Sequence, residues 1–262
     1  MQTITRRLAM VAACLVISTA GLGSAAVAGP RLDRITESKT LRVGTPGDYR
    51  PFAIKAGDGY EGHDIDIIEK LATDQGWTIE YVQTSWPNLM ADLQADKFDV
   101  AVGGITRNAN RIGKVAMLPG YASFGKVALV RREDADKFKA LEDLNKPDVR
   151  VIKNPGGTNE AFVLANLGNA QVSTHEKNAE IPALIAEGKG DVMITETYEA
   201  LHYSNADPRL AAIFIDDPLT PESFLGFMLP VDDNDYLRVM EFAWDLNDKR
   251  GELDNAAERW LK

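Results

Sequence analysis

The sequence predicts an α/β protein built as two similar lobes with a cleft between them. Two observations carry that expectation. Short apolar runs alternate with helical patterns along the chain, and repeated β-α-β units make a parallel-rich sheet. One segment also recurs: "LQADKFDVAVGG" (93–104) matches "IAEGKGDVMIT" (185–195). Each is a helix end, a basic turn residue and an apolar strand opened by an aspartate, so the chain repeats its plan once. With 262 residues, 45% hydrophobic and 26% charged, the composition is that of an ordinary folded protein.

The first segment is of another kind. Arg6 and Arg7 precede "LAMVAACLVISTAGLGSAAVA", which ends on small residues at Ala28. A basic start, an apolar run and a small-residue cleavage site read as a secretory signal peptide over 1–28. The run is rich in Ala, Gly and Ser, which favours export over a membrane anchor, and "TRRLAM" carries a faint twin-arginine pattern. Cys14, the sole cysteine, lies too early in the run for lipidation and is removed with it. The mature chain then has no disulfide or thiol chemistry. It keeps 27 basic against 39 acidic side chains, a net charge of −12. That balance argues against a nucleic-acid or anionic-membrane partner but permits an anionic small molecule in a local pocket. No later segment is apolar enough to span a membrane.

The elements follow in order. "TLRVGT" (40–45) reads as a strand. "DIDIIEKLATDQG" sets Ile65, Ile68 and Leu71 at helical spacing and stops at Gly76. "TIEYVQT" is a strand, "NLMADLQAD" a helix and "FDVAVGG" a buried strand ending on two glycines. "KVALVRR" is a strand, and "DADKFKALEDLNKPD" a polar stretch with a helix. "VRVIKN" is a strand, "GTNEAFVLANL" a helix, "AQVSTH" a strand, "EIPALIAEGKG" a helix and "DVMIT" a strand. The end, from "DNDYLRVMEF" onward, is helical. In open α/β sheets ligands sit beyond the strand carboxyl ends, and two lobes can turn those ends towards each other.

Enzymatic motifs are mostly absent: no P-loop, dinucleotide fingerprint, zinc-ligand pair or Gly-x-Ser-x-Gly elbow occurs. His63, His175 and His202 are scattered and read as surface or turn residues. Candidates remain at the strand ends. In "GTPGDYRPF", Asp48 and Tyr49 present a carboxylate and a phenol, unless they merely form a Gly-Asp turn. In "GGITRNANR", a helix opening at Thr106 aims its free N–H groups and the Arg111 guanidinium at an anion; a solvated arginine is the bland alternative. In "NPGGTNE" (154–160), Gly156 and Gly157 let backbone approach a ligand, and Thr158 or Asn159 caps the next helix. Glu196 and Glu199 in "TETYEA" are three apart and share one face of a helix, the usual reading being two solvated acids. Lys126 in "FGKVALV" stands at the crossover between lobes, as a ligand contact or a solvated hinge lysine. Trp86 and Pro87 in "TSWPNLM" are cleft wall or the start of a capped helix, with Pro87 suited to a first turn.

The segments "LRVGTPGDYRPFA", "YEGHDIDIIEKLA", "LQADKFDVAVGGITRNANR" and "NPGGTNE" resemble, in order and over essentially the whole mature chain, the type-II periplasmic solute-binding proteins for polar amino acids. The resemblance implies a two-lobed fold, each lobe a mixed sheet flanked by helices, with a hinge and an interlobe cleft. It implies a first lobe over 29–124 and 219–262 and a second over 125–218. "GDYRPF", "TSWPNLM", "FGK", "NPGGTNE" and "TETYEA" further resemble the periplasmic cyclohexadienyl dehydratases. That branch converts prephenate to phenylpyruvate and arogenate to phenylalanine. The resemblance puts the general acid on Glu199 and substrate contacts on Asp48, Tyr49, Trp86, Thr106, Arg111, Lys126, Asn154, Gly157, Thr158, Asn159 and Glu196. Glu196 departs from the branch, which usually carries aspartate there. The longer side chain moves the carboxylate by roughly 1.5 Å and puts arogenate use in question. No metal or organic cofactor is implied, and the oligomeric state is not legible. The competing reading is an amino-acid-binding subunit of an ABC importer, holding a zwitterion with Asp48, Arg111, Thr158 and Glu196 and needing no acid.

Overall fold

The computed structural model describes residues 29–262; the expected export signal and Cys14 lie outside the described residues. Two five-stranded mixed sheets organise the chain. The first runs in the order Thr78–Gln83, Thr40–Thr45, Val100–Ala101, Met228–Leu229, Ala116–Met117. The second runs Gln171–Thr174, Arg150–Lys153, Val192–Glu196, Lys126–Arg131, Leu210–Ile213. In each, the first three strands are parallel and the fourth is antiparallel to its neighbours. Each sheet has its own apolar core. The Ser123–Phe124 and Ser223–Phe224 strands, where the chain passes between the sheets, pair with each other as a ribbon.

The recurring segment has a physical cause. Its two strands, Val100–Ala101 and Val192–Glu196, occupy the same third position in their sheets. The aspartate opening each one closes the same bond set. Asp99 accepts from the Arg42 backbone N–H and holds the Arg42 guanidinium; Asp191 does the same with Arg150. Arg31, Arg34 and Arg131 add further charge. Charge-assisted bonds of this kind pin the register of two parallel strands at one end.

The helix His63–Asp74 buries Ile65, Ile68 and Leu71 as their spacing requires and gains Ile67 and Ala72. It ends before Gly76, whose φ is +69°. "FDVAVGG" pairs only over Val100–Ala101, because Gly103 and Gly104, both at positive φ, turn the chain out of the sheet. The polar stretch after Arg131 forms a 3-10 helix, Arg132–Lys137, and a single α-turn, Leu141–Leu144. Asp233 caps two helices at once. Its side chain accepts from Tyr236 N at the start of Asn234–Lys249 and from Arg31 N and Leu32 N at the start of Pro30–Ser38.

Candidate functional site

Loops leaving the carboxyl ends of strands from both sheets converge on one narrow space. Of the residues singled out in the sequence, Tyr49, Trp86, Thr106, Arg111, Asn154, Gly157, Thr158, Asn159 and Glu196 line it. Asp48, Lys126 and Glu199 stand behind that wall. Gly156, read from the sequence as a close-approach glycine, lines it too, as do Gly104 and Asn178, which were not among the sequence's site candidates. Asn178 falls in "EKNAEIP", just ahead of a helix, where an asparagine reads as a cap; no local pattern separates the two roles.

Glu196 is the hub. It is the last residue of its strand, and its register partner on the antiparallel neighbour is Lys126. The two pair at 2.8 Å as a cross-strand ion pair. The same oxygen accepts from Thr106 Oγ1 at 3.1 Å and Thr158 Oγ1 at 3.3 Å. Its other oxygen accepts from the Tyr49 hydroxyl at 2.5 Å. Lys126 Nζ also donates to Thr158 Oγ1 at 2.8 Å and to Asn159 Oδ1. Tyr49 and Thr106 belong to the lobe of the first sheet, so these bonds close the cleft. Lys126 is 5% exposed; it is not a solvated hinge lysine. Its strand buries five consecutive residues, and that burial lowers the amine's pKa while Glu196 opposes the shift.

Glu199 and Glu196 do not share a helix face. Glu196 lies in the strand and precedes the helix Thr197–Ala206, whereas Glu199 sits in its first turn. Their carboxyls therefore face different partners. Glu199 is 0% exposed. Its Oε1 accepts from Asn178 Nδ2 at 2.6 Å, and its Oε2 pairs with the Thr195 hydroxyl. Burial raises its pKa well above the usual carboxyl value, and the Asp48 and Glu196 charges push the same way, against the Thr195 and Asn178 hydrogen bonds.

Several local expectations need correction. No helix opens at Thr106: the short helix is Ala109–Ile112, capped by Asn108, and Thr106 instead bridges to Leu225. Arg111 reaches the cavity by folding back, its NH1 donating to the Thr106 carbonyl at 2.5 Å. Burial lowers its pKa, with Glu196 opposing, yet a guanidinium stays charged. Neither Thr158 nor Asn159 caps the helix Gly157–Asn166, which has Gly156 at its N-cap and no side-chain cap bond. Gly156 lines the cavity and serves a second close approach as well. A Cβ there meets Pro87 N at 2.7 Å, so the glycine admits a proline from the opposite lobe. Pro87 lies in the turn ahead of the helix Leu89–Gln94 rather than in its first turn. His63, expected at the surface or in a turn, is buried at the start of the helix His63–Asp74, with Nδ1 2.8 Å from Asp64.

Trp86 is cleft wall. It meets the Tyr49 ring edge-on at 5.7 Å, and its Nε1 donates to Asp48 Oδ1 at 2.8 Å. Asp48, whose pKa burial raises, then accepts from Asn178 of the other lobe, side chain from N–H at 3.3 Å and carbonyl from Nδ2 at 3.4 Å. The site thus carries two cations, the ion-paired Glu196 and the two further acids Glu199 and Asp48, between an aromatic wall and a helix start.

Among the described residues no His, Cys, Asp and Glu group is placed to hold a metal, and no helix is long and apolar enough to cross a membrane. The family profile of the bacterial extracellular solute-binding proteins, family 3, matches residues 41–262. Cyclohexadienyl dehydratase from Pseudomonas aeruginosa is 37% identical, covering 98% of this chain and 95% of its own. Among solved structures, the ancestral amino acid-binding protein AncCDT-1, a precursor of cyclohexadienyl dehydratase, matches with TM-score 0.80 at 35% identity, over 88% of this chain and 99% of that one. The ancestral cyclohexadienyl dehydratase AncCDT-3 is 49% identical over 88% of this chain and 96% of that one, with TM-score 0.53. The chain belongs to the bacterial extracellular solute-binding proteins, family 3.

Proposed function

We propose that the chain is a periplasmic, exported cyclohexadienyl dehydratase that converts prephenate to phenylpyruvate and, less readily, arogenate to phenylalanine. The observation that carries this reading is Glu199: a fully buried carboxyl with a strongly raised pKa, one side chain behind a cavity lined by Arg111, with Lys126 likewise behind its wall. A solute binder has no use for a stored proton; a dehydration needs one.

Prephenate is a dianion with a ring carboxylate and a ring hydroxyl. The electron pair of the bond to the ring carboxylate moves into the ring, the hydroxyl departs, and the ring becomes aromatic. One proton is taken up, and water and carbon dioxide leave. The driving force is already in the substrate, so the protein needs to grip, orient and protonate. In this proposal Arg111, Thr106, Thr158 and the first-turn N–H groups after Gly157 hold the carboxylates. Trp86 and Tyr49 bound the ring. Asn154, Asn159 and Lys126 fix the second lobe's side of the site, and Asp48 steadies Trp86. Glu199 gives its proton to the leaving hydroxyl. Closure keeps water away from the acid, which is what holds its proton at neutral pH.

Incubation of purified protein with prephenate, followed by phenylpyruvate absorbance, tests the reading. Glu199→Gln is expected to lower turnover by about two to four powers of ten while substrate still binds. Retention of most of the activity would end the acid assignment. The relation to an amino acid-binding ancestor keeps a second reading open. Tight binding of a natural amino acid by wild-type protein, with no turnover of prephenate or arogenate, would favour it.

A further inference from the structure

Asn178 is 1% exposed and lines the cavity, yet its Oδ1 has no hydrogen-bond partner among the described residues. A buried acceptor left alone is costly, and most buried amide oxygens find a donor. The amide's orientation is fixed by its other end. Nδ2 faces two acceptors, Glu199 Oε1 at 2.6 Å and the Asp48 carbonyl at 3.4 Å, so the oxygen is the atom left over. The backbone N–H of Asn178 donates to Asp48 Oδ2. Asp48 belongs to the opposite lobe, so this arrangement exists only in the closed molecule.

We propose that Asn178 is a positioning residue for the leaving group, its Oδ1 accepting the hydrogen of the substrate's ring hydroxyl while its Nδ2 holds Glu199 alongside. This rests on the dehydratase reading above. The chemistry explains why such a group helps. A hydroxyl that donates its hydrogen to Oδ1 turns a lone pair elsewhere, towards the acid. As it gains a proton it becomes a nascent water with two polarised O–H bonds, one of which Oδ1 already receives. The C–O bond breaks, the water leaves, and the ring electrons come from the departing carboxylate, so no further reactant is required. Asp48 ties the device to closure: when the lobes part, Asn178 loses its anchors in the other lobe, and the acid is left without an oriented acceptor beside it.

The test is Asn178→Leu, which keeps bulk and removes both polar ends. Steady-state kinetics of phenylpyruvate formation from prephenate across pH are compared with wild type. The expected result is a fall in kcat of about 10- to 100-fold, with KM changed by less than about threefold. The descending alkaline limb of the kcat profile is expected to move to higher pH. Glu199 acts protonated, and it loses the N–H bond that favours its ionised form. A merely structural role would lower thermal stability or raise KM and leave that limb in place. If the leucine variant does not fold, Asn178→Ser takes its place; it lacks the N–H donor, so the same fall in kcat and limb shift are expected. A folded variant with kcat within about twofold of wild type and an unmoved limb overturns the role of Asn178 alone. Wild-type protein inactive on prephenate overturns the dehydratase reading and this inference with it.

Discussion

At the scale of single residues, two neighbouring glutamates have opposite environments. Glu199 is held without a cation partner, so its proton is bound in the folded chain at a pH where the unfolded chain, titrating near about 4.3, has lost it. The folded state then binds more protons, and stability falls as pH rises from that value through the raised folded pKa. Thermal denaturation across this window is expected to show the descending slope in wild type and its loss in Glu199→Gln, which imitates the protonated acid. Glu196 does have a cation beside it, and its oxygens accept from Lys126, Tyr49, Thr106 and Thr158. Its Oε1 is crowded by three donors, and only Oε2, which accepts from Tyr49 alone, keeps a lone pair for a substrate ammonium. Glu196→Asp withdraws the carboxylate from the two first-lobe hydroxyls and leaves an acceptor open to the cleft. Its kcat/KM for arogenate relative to prephenate is expected to rise by about tenfold, measured with both substrates side by side.

At the scale of elements, much was legible and the failures are specific. Apolar periodicity placed the strands and helices, since burial on one side is a local demand that the chain must meet along its length. The repeat gave two comparable halves, though not the reason for it. That reason is Asp99 with Arg42 and Asp191 with Arg150, pairs 57 and 41 residues apart, and no local pattern announces a partner at that distance. Cap positions were misjudged for a related reason. Thr158 and Asn159 look like caps in isolation, but Lys126 claims both side chains. Asn178 was missed because its bonds are to Asp48 and Glu199, which only folding brings near. The doubly used cap Asp233 is open to measurement. Asp233→Ala removes bonds from the starts of two helices and is expected to cost about 1–4 kcal/mol, read from denaturant unfolding, with the kinetics of the remaining folded protein unchanged.

At the scale of the molecule, the proposed mechanism makes activity depend on how completely the lobes meet. Gly156 provides a direct probe. Its φ is +75°, and a Cβ there strikes the Pro87 backbone of the other lobe. Gly76 has φ +69° and nothing within 4 Å of a Cβ. Alanine at either position costs about 1–2 kcal/mol of backbone strain, so both variants are expected to lose similar stability. Only Gly156→Ala should hold the cleft ajar, with turnover down about tenfold or more against near-normal rates for Gly76→Ala. Equal rates in the two variants would mean that full contact at Pro87 is not required.

The clasp across the cleft is lopsided. The Lys126–Glu196 pair is registered within one sheet and survives any parting of the halves, whereas the neutral hydroxyls of Tyr49 and Thr106 let go of Glu196 and Asn178 lets go of Asp48. Arg111, on the other side, has no carboxylate within ion-pair distance among the described residues. An arriving dianion therefore meets a bare guanidinium on one bank and an already neutralised ammonium on the other. Under the proposed function, capture is expected to begin on the Arg111 bank, the opposite half folding down over a guest already moored.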